Sequence, residues 1–119
     1  MEALILVGAG GAAGSLLRYW LSKVQPLRGL PAGTLAVNVT GSFAISLLAF
    51  SGVTGSAYDL LCTGVLGGFT TFSTFGFETF RMLEDKDYTT AAANILLNVL
   101  GGLLAVYAGY RLLIMAGII

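Results

Sequence analysis

The stretch that decides the fold is Gly64-Val-Leu-Gly67-Gly68-Phe69-Thr70-Thr71-Phe72-Ser73-Thr74-Phe75-Gly76-Phe77. It lies inside an apolar run from about Asp59 to Phe80, long enough to cross the hydrocarbon core of a bilayer. Yet paired glycines followed by β-branched threonines make a poor continuous helix. A span that is apolar enough to enter lipid but unable to stay helical predicts a broken transmembrane helix. Backbone carbonyls and amides exposed at such a break are tolerated only where protein buries them or an ion binds them. Hard carbonyl oxygens at that depth suit a small hard cation.

Three further apolar runs flank this one, at about residues 3–22, 33–52 and 89–117. The expected fold is therefore all-α and integral to the membrane, a single domain over residues 1–119 whose third of four spans is broken. The first run opens on Met1-Glu2 without a basic leader and is too long for a signal-peptide core, so it reads as a retained helix. The connections are short: residues 23–32 carry both prolines, residues 54–57 form a tiny turn, and residues 81–88 are dense in charge.

Composition agrees. The chain is 56% hydrophobic and only 10% charged, too few charges to solvate a small globule. Seventeen glycines would weaken a soluble helical domain but let helices approach closely in lipid. Zero histidines and a single cysteine exclude structural zinc sites, internal disulfides and histidine-based acid–base catalysis. Cys62 reads as a small packed hydrophobe, and no basic patch suggests nucleic acid. No carboxylate sits in mid-membrane, so neither an enzyme nor a proton-driven pump is expected.

Neutral polar groups remain, spaced for helices. Thr34, Asn38, Ser42 and Ser46 recur every four residues in the second span, and Asn94, Asn98 and Gly102 align in the fourth. Amides and hydroxyls can replace the hydration shell of an anion without a fixed charge that traps it. They can equally serve as glue between helices. Phe72 and Phe75 share a face, and their ring edges carry partial positive charge that an anion could meet; plain packing is the alternative. Arg18 either snorkels to the interface or sits at a water-filled vestibule, and Glu78 and Arg81 are spaced for an ion pair. Small residues at Gly10 and Gly14, Gly64 and Gly68, and Gly101, Ala105 and Gly109 predict helix–helix assembly.

Three ordered motifs make the chain recognisable along nearly its full length. Residues 10–19 (GGAAGSLLRY), 33–43 (GTLAVNVTGSF) and 67–75 (GGFTTFSTF) resemble those of the CrcB/Fluc fluoride channel family. That resemblance implies an antiparallel, dual-topology dimer with two fluoride pathways, exporting cytoplasmic fluoride by passive flow. It also implies a sodium ion on the dimer axis, held by the backbone carbonyls of Gly67 and Thr70. By motif position Phe72 and Phe75 look like the aromatic lining of the pathway and Asn38 like its amide. Ser73 and Thr74 match the polar track, and Arg18 and Glu78 match positions near the vestibules. Asn94 and Asn98 depart from the tyrosine- and serine-like residues expected in many relatives.

Lys and Arg are unevenly placed: Lys23, Arg28, Arg81 and Lys86, with Arg18 nearby, fall at one end and Arg111 alone at the other. This bias favours one orientation, with both termini outside the cytoplasm. The implied partner is then either a second copy or an oppositely oriented paralogue. Rival classes are a small multidrug transporter, which needs a carboxylate within its first helix, and an accessory subunit that conducts nothing.

Overall fold

The computed structural model describes residues 1–119 as an all-helical slab of 46 × 35 × 19 Å. Its elements are α1 (Glu2–Leu21), α2 (Ala32–Phe50), a broken third span, and α6 (Tyr88–Met115). The third span runs through α3 (Gly55–Ala57), a π-helix (Tyr58–Leu66), α4 (Gly67–Phe69) and, after the break, α5 (Phe72–Glu84). Four units are long and apolar enough to cross a membrane, at Glu2–Leu21, Ala32–Phe50, Gly55–Glu84 and Tyr88–Met115. The chain is thus a multi-pass membrane protein with four spans, as expected, although the third, Gly55–Glu84, runs longer at both ends than the 59–80 read from the sequence. The π-helical run before the break was not expected.

Each turn follows from local chemistry. Residues 27–30 close a two-residue hairpin, with Leu27 and Leu30 exchanging both backbone bonds at 3.0 Å. Its central residues Arg28 and Gly29 have φ of 54° and 85°, the left-handed pair that matches such a turn. Asp87 caps α6 by accepting from Thr90 N–H at 3.3 Å.

Packing is dominated by backbone-to-backbone approach. A Cβ on Gly10 would collide with Leu60 O, and one on Gly14 with Val65 O. Across that contact, Gly64 and Gly68 lie against Gly10 and Gly11 in turn. The second small-residue stripe joins α6 to α2, where Gly109 meets Ser46 and Gly101 meets Val39. The small-residue motifs expected to drive assembly are therefore spent inside the protomer, because four thin helices can bury little else against one another. Cys62 is buried without a disulfide. Only 18 of 119 residues are buried, which leaves most of the apolar surface for lipid or a partner chain.

Candidate functional site: a polar path through the helix break

The break is built by competition for backbone groups. Thr70 (φ −76°, ψ 156°) and Thr71 (φ −147°, ψ 119°) are extended, so the helical ladder stops at α4. Thr71 then acts as the N-cap of α5, its Oγ1 accepting from Thr74 N–H at 3.1 Å. Its own N–H, which would have closed onto Gly67 O, goes to Asn38 Oδ1 at 2.9 Å. Thr70 Oγ1 donates back to Leu66 O at 3.0 Å and its methyl group presses on Gly41 of α2.

Two carbonyls lose their helical partners by this arrangement. Gly67 O forfeits the Thr71 N–H to Asn38, and Thr70 O forfeits the Thr74 N–H to the Thr71 side chain. Both are hard oxygen donors at membrane depth, so the residues present fit a small hard cation.

Asn38 clamps the extended segment from α2. Besides accepting from Thr71 N–H, its Nδ2 donates to Thr71 O at 3.0 Å and to Asn98 Oδ1 at 3.1 Å. Asn98 donates to Asn94 O at 2.9 Å and to Asn94 Oδ1 at 3.1 Å. Asn94 donates to Thr79 Oγ1 at 3.0 Å, and Thr79 to Phe75 O at 2.8 Å. Asn94 and Asn98 are only 1% and 7% exposed, so they are internal partners of the break within this protomer.

Two grooves meet at Thr71. One, of about 310 Å³, is lined by Asn38, Ser42, Thr70, Phe72, Phe75 and Asn98 among others. The other, of about 240 Å³, is lined by Ser15, Arg18, Ser22, Thr34 and Thr74. Thr71 lines both. Phe72 and Phe75 stand edge to face, centroids 5.9 Å apart at 66°, and Phe72 is 82% exposed despite its apolar ring. The first groove therefore combines three hydroxyl residues, two amides and two phenyl rings without a charged group. The second carries one cation, Arg18, which is half-buried beside hydroxyls.

The remaining expected residues fall outside this junction. Ser73 is exposed on α5, its Oγ 3.3 Å from Thr71 Oγ1, and lines neither groove. Glu78 lies further along α5 beside Thr34 and Ser22, with Oε1 buried and unpartnered. The Glu78–Arg81 ion pair expected from spacing does not form, because the Arg81 guanidinium lies over the Phe77 ring, 5.8 Å from its centroid. Two residues that sequence reasoning left out of the site are Thr71, the hub, and Thr79, the far end of the amide chain. Thr71 carried a readable signal: a threonine immediately before the amphipathic run that begins at Phe72 is an N-cap pattern.

Known proteins show which family the sequence falls in. A family profile described as "CrcB-like protein, Camphor Resistance (CrcB)" matches residues 5–110. A protein of Methanococcus maripaludis named "Fluoride-specific ion channel FluC" is 47% identical, the match covering 92% of this chain and 93% of the relative. "Fluoride-specific ion channel FluC 3" of Methanosarcina acetivorans is 46% identical, over 92% of this chain and 100% of that one. A Syntrophotalea carbinolica protein named "Fluoride-specific ion channel FluC" is 48% identical over 81% of this chain and 85% of its own. With matches over almost its whole length, the chain belongs to the CrcB family.

Proposed function

We propose that this chain is a fluoride-selective channel that lets fluoride leave the cytoplasm passively and so relieves its toxicity. The observation that carries this is the pair of grooves that share Thr71 in their walls, lined by hydroxyls and amides and, in the first, by the edge-to-face pair Phe72 and Phe75. Fluoride is small and strongly hydrated, and its shell is replaced one donor at a time by such groups. Arg18 in the second groove raises local anion concentration without lining the aromatic groove. Neutral donors release the ion again, as conduction demands. No proton carrier is required, since no step changes protonation. Relatives named fluoride-specific ion channels support the assignment.

The working unit in this proposal is an antiparallel dimer. Phe72, in the wall of the first groove, projects from the protomer with little of its own chain around it. A second chain inserted the other way, either another copy or a paralogue, supplies the missing wall. Sodium on the twofold axis would be held by the carbonyls of Gly67 and Thr70 from each subunit. It would supply a fixed positive charge that ties the two breaks together.

The test is the reversal potential of reconstituted protein in a planar bilayer, with fluoride on one side and chloride on the other. Reversal following the fluoride gradient supports the proposal. Reversal that follows chloride or sodium overturns it.

A further inference from the structure

The two asparagines of α6 place three of their four amide hydrogens and both amide oxygens on defined neighbours. Asn98 spends both hydrogens on Asn94, on its backbone O and on Oδ1. That leaves Asn98 Oδ1 as the group facing Asn38, and only an N–H of Asn38 can meet it, at 3.1 Å. The other Asn38 hydrogen falls on Thr71 O, which leaves Asn38 Oδ1 for Thr71 N–H. Reversing the Asn98 amide would set donor against donor and turn Asn38 away from both backbone groups of Thr71. Asn94 cannot reverse either, because its Nδ2 is committed to Thr79 Oγ1, whose own hydrogen goes to Phe75 O. Five groups thus donate in one direction, from the break on the third span through α2 and α6 to α5. Such chains reinforce one another and are costly to interrupt when buried.

We infer that Asn98, backed by Asn94, is a positioning residue: it fixes the orientation of the Asn38 amide and, through Asn38, the extended backbone at Thr71. The same chain ties the break to Phe75 by way of Thr79, so the aromatic position and the carbonyls are set together. This inference rests on the fluoride-channel assignment for its flux readout only. Its structural readout stands apart.

The test combines amide hydrogen exchange with a double-mutant comparison, on purified full-length protein. In Asn98→Leu the Thr71 amide is expected to exchange at least tenfold faster, while amides in the middle of α1 stay within twofold of wild type. Fluoride efflux should fall at least tenfold in Asn98→Leu and in Asn38→Ala. The double variant should be no slower than Asn38→Ala alone within threefold, since Asn98 acts through Asn38. If Asn98→Leu loses protection everywhere, Asn98→Ala, which adds no bulk, is measured in its place. Unchanged Thr71 exchange, or losses that multiply in the double variant, overturns the inference. A wild-type protein that passes no fluoride refutes the channel assignment instead, and the exchange result still decides the role of Asn98.

Discussion

Replacing Asn38 with aspartate changes one atom type and separates two effects. The carboxylate still accepts from Thr71 N–H, held at 2.9 Å in the wild type. It can no longer donate to Thr71 O or Asn98 Oδ1, now 3.0 and 3.1 Å away, so oxygen faces oxygen at both places. The part-buried Asn98 Oδ1 loses its donor at a cost of about 1–3 kcal/mol, whereas Thr71 O, the N-cap carbonyl of α5, keeps the first bond of that helix. The charge adds a second penalty. An ion at the centre of a groove of about 310 Å³ lies about 4 Å from its wall, where a unit charge of like sign costs about 4 kcal/mol at an effective dielectric of about 20. That corresponds to roughly a thousandfold in rate. In liposomes read with a fluoride electrode, Asn38→Asp should therefore fall by two to three orders of magnitude, on the order of the Coulomb term. Size-exclusion elution and helical content separate this from misfolding. A folded Asn38→Asp protein with flux within threefold of wild type would refute the placement of Asn38 at the path.

Phe72→Ile and Phe75→Ile should each cut fluoride efflux sharply while elution stays unchanged, because Phe72 is 82% exposed and adds little to the protomer core. Thr70→Ser should be mild in both flux and stability, since it keeps the bond to Leu66 O and loses only the methyl group against Gly41. Gly14→Ala should lower thermal stability in detergent by about 1–3 kcal/mol, because the new methyl meets the Val65 carbonyl and Phe69 N–H, which are backbone and cannot swing away. Gly8→Ala is its control: nothing lies near that position, and added helix propensity should stabilise by about 0.5–1 kcal/mol. Exchanging sodium for a large organic cation should slow fluoride efflux if the Gly67 and Thr70 carbonyls hold sodium, and no change would dismiss that ion.

Sequence carried the spans and the break because both are local facts. Apolar length decides where the chain enters lipid, and Gly67-Gly68 followed by Thr70-Thr71 decides where it cannot stay helical. What the small residues pack against is not local. Gly10, Gly14, Gly64 and Gly68 look the same whether they meet another copy or another helix of their own chain, and here they meet their own. The π-helix from Tyr58 to Leu66 likewise has no signature in residue type or spacing. Asn38 was legible as a polar group on a helical stripe, but its clamp on Thr71 depends on a contact 33 residues away in sequence. The Asn94–Asn98 pair was visible as an aligned stripe; that it turns inward to Thr79 and Asn38 follows only from the α2–α6 and α5–α6 packing. Glu78 and Arg81 failed as a pair because an aromatic face, Phe77, competes for the guanidinium.

The most direct measurement is fluoride efflux from liposomes containing this purified chain alone, followed with a fluoride electrode beside a chloride control. Rapid fluoride release without chloride release is the predicted result, and it would show that one chain suffices to build the path. Release of both ions at similar rates would contradict a fluoride-selective pore. Absence of any release, persisting after an oppositely oriented paralogue is added, would contradict a channel altogether.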